Sequence, residues 1–195
     1  MISRLLLLLF AAFAVAQQAT DIPGSGQEPK LPVIDYNSCP FEGCTFGKWK
    51  VIKQSALFSS WEEGRTQIGK LSPGEEVTGI TGVHITRTPD RIAVTKSIAE
   101  LDAAAGDVIL RYMYMGEGTA NIWIKGHWHQ AYDCTFVTED EKNGGGCQKD
   151  CSAMVKEYGV KEWWVKVTTG DGKTGWVLAD NNFDGMDSLA LLNLH

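Results

Sequence analysis

The chain carries no excess of basic charge: its 195 residues hold 18 Lys and Arg against 24 Asp and Glu. That balance excludes a general nucleic-acid binder, whose affinity rests on cationic neutralisation of phosphates. The 21 glycines follow no every-third-residue period, which excludes a collagen-like strand. Hydrophobic residues make up 44 % of the chain, too many for an intrinsically disordered one. A phosphate-cradling Gly loop, a G-x-S-x-G elbow and an H-E-x-x-H pair are all missing. Their absence removes the commonest signatures of nucleotide binding, serine hydrolysis and zinc proteolysis. Beyond residue 16 no apolar run is long enough to cross a bilayer, so no stable membrane span is expected in the rest of the chain.

Residues 1–16 read MISRLLLLLFAAFAVA: one Arg4, an apolar run from Leu5, then Ala14-Val15-Ala16 ahead of Gln17. This is the pattern of a secretory signal with a small-residue cleavage site, and it implies a secreted or periplasmic product. Cleavage would leave 17 basic and 24 acidic residues, a formal charge of −7. An oxidising compartment makes Cys39, Cys44, Cys134, Cys147 and Cys151 disulfide candidates, with one thiol left over. Cys39 and Cys44 enclose a tight loop with Pro40 and Gly43, so they can pair locally. Cys147 and Cys151 lie close together, and Cys134 can bridge to either. Zinc held by Cys147, Cys151, His127 and His129 is the alternative, but that spacing matches none of the standard ligand runs.

Residues 17–44 are polar and Pro-, Gly- and Gln-rich over most of their length, and read as a flexible tether carrying the Cys39/Cys44 loop. From Lys48 the pattern turns to short runs rich in Val, Ile and Thr, punctuated by glycines and Pro89-Asp90. Strands are expected over 48–54, 75–80, 83–87, 91–96, 107–115, 121–125, 130–137, 162–168 and 175–179. Helix is expected only at 152–158 and 188–194. Many short strands imply an all-β protein of small barrels with minor helix. One echo supports a duplication: Ile68, Leu71 and Gly74-Glu75 are matched by Ile98, Leu101 and Gly106-Asp107.

Near the C-terminus, Trp163-Trp164-Val165-Lys166-Val167 leads through Gly170-Asp171-Gly172 to Gly175-Trp176-Val177, a hairpin with positive-φ turn residues. This run resembles the closing hairpin of the bacterial SH3-like (SH3b) domains. The segment from Ala56-Leu57 through Ile68–Leu71 to Gly74–Val77 is similar to that family's opening half. Some 85 residues separate Val77 from Trp163, more than one such domain needs. Two arrangements account for that: tandem modules, or one module split by an insertion. The tandem reading puts module 1 at 45–97, module 2 with an inserted loop at 98–182, and a tail at 183–195.

What the resemblance implies is binding: such domains target envelope proteins, contacting wall peptides or polypeptides along an aromatic-rimmed groove. The rim candidates are Trp61, Trp128, Tyr132 and Trp163, with a cell-wall or envelope protein component as partner. Asp150-Cys151-Ser152 also resembles the start of the nucleophile motif of NlpC-type cell-wall peptidases. That alternative makes Cys151 a nucleophile at a helix start with His127 or His129 as base, although Ala153 stands where that family has Gly. A third alternative is a structural envelope protein without a small ligand. Asp180, Asn182 and Asp184, followed by Gly185, match the first half of an EF-hand loop and suggest a weak calcium site, with no Glu at the twelfth position.

Overall fold

The computed structural model describes residues 26–139 and 146–189. The expected signal segment, most of the glycine-rich loop Glu139–Gly146 and most of the expected C-terminal helix lie outside these residues. The chain is nearly all β, arranged as two curled half-barrel sheets in line with two small barrels. It first lays down β1 (Val33–Tyr36), β2 (Lys48–Val51), β3 (Ser55–Phe58), β4 (Gln67–Leu71) and β5 (Glu76–Thr88). Next come β6 (Asp90–Val94), a 3-10 turn at Ala99–Leu101, β7 (Val108–Gly116), β8 (Thr119–Ile124), β9 (His127–Asp133), β10 (Val137–Thr138) and β11 (Ala153–Glu157). Last are β12 (Val160–Thr169), β13 (Thr174–Leu178) and β14 (Phe183–Asp184).

The first sheet runs β14-β2-β5-β12-β13-β3-β4, with β1 also paired to β5, and the second runs β10-β11-β6-β7-β8-β9. The closing hairpin therefore joins the first sheet: Val160–Thr169 pairs along β5, and Trp176 of β13 stands beside Phe58 of β3. All six strands of the second sheet fall between β5 and β12. The sequence boundary drawn at 97/98 thus does not divide the sheets; the chain leaves the first at Thr88 and returns to it at Val160. The physical reason is the length of β5, whose thirteen residues offer β12 a full-length antiparallel partner. Gly82, between the strands expected at 75–80 and 83–87, continues β5 in register with Val165, and a Cβ there would collide with the Ser38 carbonyl and the Trp163 indole. Gly79 works similarly, since its Cβ would lie 2.6 Å from the Trp49 ring.

Each sheet encloses its own core. Alternation along β2 and β12 drives Trp49, Val51, Val165 and Val167 inward to join Leu57, Leu71, Val77, Val177 and Phe183. The second interior is aliphatic: Ile92, Val94, Ile98, Leu101, Ile109, Ile122, Ile124 and Val137, with Ala120, Ala153 and the thiol Cys134. The sequence echo has partial structural meaning. Gly74 (φ 93°) and Gly106 (φ 99°) both sit in left-handed turns leading to strands, while Ile68 lies on β4 and Ile98 caps the 3-10 turn.

Two local expectations are corrected. Residues 33–36, placed in the tether, form β1 because Val83–Thr86 of β5 offers them an open ladder. Residues 152–158, read as helix, contain β11: Ala153 points into the aliphatic core while Met154 and Lys156 face solvent, the period-2 pattern of a strand. Of the disulfide candidates, Cys39 pairs with Cys44 and Cys147 with Cys151, leaving Cys134 as the buried free thiol rather than a bridge partner.

Candidate binding surface

The side of the first sheet facing away from its core carries a second set of rings. Antiparallel register aligns Tyr36 with Val83, Val83 with Trp164, and Trp164 with Leu178. A neighbouring row aligns Thr81, Lys166, Trp176 and Phe58. Val83, Ile85 and Trp164 are buried here, with Ile34, Phe58, Trp61 and Trp176 packed against them. The loop between β3 and β4 folds back over this side. Ser59 and Thr66 close its neck by two hydrogen bonds, and Ser60 Oγ accepts the Glu62 N–H.

Arg65 locks that loop. Its Nη1 donates to the carbonyls of Trp61 (3.1 Å) and Glu62 (3.0 Å), and its guanidinium lies 4.2 Å from the Trp164 ring centre. The planar cation over an indole is attracted to the ring's negative face. Trp61 is thereby held edge-on to Tyr36, their centroids 6.1 Å apart, and Tyr36 is 36 % exposed. Beside them Arg87 Nε donates to Glu162 Oε1 at 2.6 Å, and Trp164 Nε1 donates to Glu162 Oε2 at 2.8 Å. The hydrogen bond from Arg87, helped by Trp164, holds the Glu162 carboxyl below its ordinary value, and Glu162 in turn raises Arg87. The result is a fixed aromatic platform with a charged margin, suited to stacking on a sugar or peptide face.

A separate open groove of about 450 Å³ lies at the hairpin end of the same sheet. Leu57 and Gly69 line it, together with Lys70, Lys173, Glu75, Glu76 and Asp171. Asp171 is committed locally, accepting from the Thr169 hydroxyl and the Lys173 backbone N–H within the hairpin turn.

The two sheets meet through buried charge. Asp90, its side chain only 1 % exposed, accepts from Lys161 Nζ at 2.5 Å, Arg111 Nε at 2.7 Å and the Gly159 N–H at 2.8 Å. Arg111 also reaches Glu139. Burial alone would raise the Asp90 carboxyl, but the charges of Lys161 and Arg111 and these hydrogen bonds outweigh it and hold it below its ordinary value. Since Lys161 belongs to β12, Asp90 to β6 and Arg111 to β7, this cluster pins the returning strand to the second sheet.

The four sequence-derived rim residues do not share one groove. Trp61 stands on the platform just described. Trp163 lies on the opposite side of β12, half-buried against Trp49 and Phe41, its Nε1 donating to the Ser38 carbonyl. Trp128 and Tyr132 belong to β9 in the second sheet; Trp128 packs on Tyr112, and Tyr132 packs on His129 and Phe136. Tyr36, Phe58, Arg65 and Trp176 complete the platform and are not among the sequence-derived candidates. The cue was the W-E-E-G-R loop beside a strand ending in Phe58, recognisable only once the loop's fold-back is known.

Other candidates take local roles. Cys151 is bonded to Cys147 and precedes a strand, so its sulfur is not a thiol here. His127 and His129 register against Ile124 and Ile122 and so share one side of β9, as expected of a strand. Burial, and then the proximity of His127, lowers the His129 pKa. Burial pushes the Cys134 thiol up to about 11. Asp180 pairs with Lys53 at 2.8 Å, and Asp184 Oδ1 accepts the Gly185 N–H. Asn182 is buried, accepting from the Asp180 N–H and donating to Ser55 Oγ and the Leu178 carbonyl. The expected calcium ligands thus organise the turn between β13 and β14. Comparison with family models, curated proteins and solved structures finds no match.

Proposed function

We propose that this protein is a non-catalytic binding module of the cell envelope, secreted or periplasmic, that holds a cell-wall or envelope protein component against its aromatic platform. The observation that carries this reading is Tyr36, exposed and edge-on to Trp61, on a loop that Arg65 fixes to the sheet. Such pre-organisation spends little side-chain entropy on binding, which favours stacking of a peptide or sugar ring. Two disulfides fit an oxidising compartment, and no helix among the described residues is long and apolar enough to cross a membrane. Co-sedimentation of the chain with purified peptidoglycan, alongside capture on immobilised envelope proteins, tests the proposal. Retention by one of the two is expected; retention by neither contradicts it.

A further inference from the structure

The outer side of the second sheet has an occupant supplied by the chain itself. Residues 26–32 read Gly-Gln-Glu-Pro-Lys-Leu-Pro and run from the β8–β9 turn toward β1. Gly26 N–H donates to the Gly126 carbonyl at 2.7 Å, and Trp123 Nε1 donates to the Gln27 carbonyl at 3.1 Å. Gly126 sits close under the arm at φ 85°, and a Cβ there would stand a tight 3.1 Å from Gly26 Cα. Pro29 is buried although its neighbours Glu28 and Lys30 are exposed. Trp123 registers directly beside Trp128 of β9 and Leu110 of β7, and the Tyr112 and Trp128 rings are 5.0 Å apart. An indole N–H reaching a backbone carbonyl two residues ahead of a buried proline, on a face that carries further rings, resembles how extended proline-containing peptides are recognised.

This arm fits its seat imperfectly. The Tyr112 side chain is fully buried, yet its hydroxyl has no hydrogen-bond partner. Glu28 lies close enough for its charge to act on that hydroxyl without bonding to it. A buried donor left unmade weakens the state that contains it, and a ligand that presents an acceptor there gains over the arm.

We propose that this aromatic face is a binding site for extended proline-containing peptides of a partner protein, and that residues 27–31 are a displaceable ligand held in cis. The site lies on the second sheet and is independent of the Tyr36–Trp61 platform.

The test uses the full chain and a fluorescently labelled synthetic peptide with the arm's own sequence, Gln-Glu-Pro-Lys-Leu-Pro, read by anisotropy. Pro29→Asp disables the cis arm, so the peptide should bind this variant at least tenfold more tightly than the unaltered chain. Adding Trp128→Ala should abolish that binding. A folded Pro29→Asp chain that binds no peptide, or whose binding is indifferent to Trp128→Ala, overturns the proposal. Concentration-dependent dimerisation in place of peptide binding also overturns it, by showing arm exchange between copies. Should Pro29→Asp fail to fold, Trp123→Phe keeps an aromatic side chain in place and removes the indole N–H donor to the arm. Tryptic cleavage after Lys30 should then accelerate about fivefold, and an unchanged rate overturns the arm's dependence on this face.

Discussion

The two sheets solve the same packing problem with opposite materials. The first encloses Trp49 and Phe183 among valines and leucines, and stacks a further layer of rings on its outer side. The second fills its interior with Ile, Val, Leu and Ala, and on its outer side Trp123 donates to the chain's own arm. Large rings need matched space, which the first sheet provides through Gly79 opposite Trp49; small branched side chains interlock without such provision. The difference teaches where function can reside. The first sheet leaves Tyr36 at the surface beside a half-buried Trp61, whereas on the second the half-buried Trp123 is already bonded to the chain's own arm.

Breaking the junction is expected to have the largest effect on this arrangement. Asp90→Asn leaves Lys161 and Arg111 buried without their shared carboxylate, a loss of about 3–5 kcal/mol. Differential scanning calorimetry should show a lower melting temperature; an unchanged one would mean that the cluster does not hold the sheets together. The same carboxylate sets an acid limit. Its folded pKa is depressed, so its contribution is complete above the unfolded value of about 3.9 and fades as pH falls through the folded value. The Asn variant should lose that part of the acid dependence.

A smaller effect should separate the two interiors. Gly79→Ala drives a methyl into the Trp49 ring and should cost about 1–3 kcal/mol by overpacking. A neutral result in urea titration would show that the aromatic core yields more readily than its geometry implies. The smallest change is Ile122→Val in the fully buried aliphatic core, expected to cost about 0.5–1.5 kcal/mol. A larger loss there would reverse the ranking of the two cores.

Much of this architecture was legible residue by residue. Alternation in 107–115 and 162–168 marked β7 and β12, and the Cys39/Cys44 spacing marked a local disulfide. What escaped depended on partners distant in sequence. Val33–Tyr36 is a strand only because β5 receives it, and Ala153–Glu157 has helix-forming composition overruled by pairing with β6. The destination of the closing hairpin was equally hidden, because antiparallel pairing with β5 rather than β7 is decided by strand length and not by local pattern. The platform was half legible. Trp61 stands out as an aromatic candidate, but so does Trp163, which lies on the side of β12 away from the platform that the Trp61 loop covers.

The most direct test of the account is the affinity of the Tyr36→Ala/Trp61→Ala chain for whichever envelope component retains the unaltered protein. The platform predicts a loss of at least tenfold with the junction and both disulfides intact, checked by a melting temperature that stays within a few degrees. Unchanged affinity in that folded variant would contradict the assignment of binding to this face.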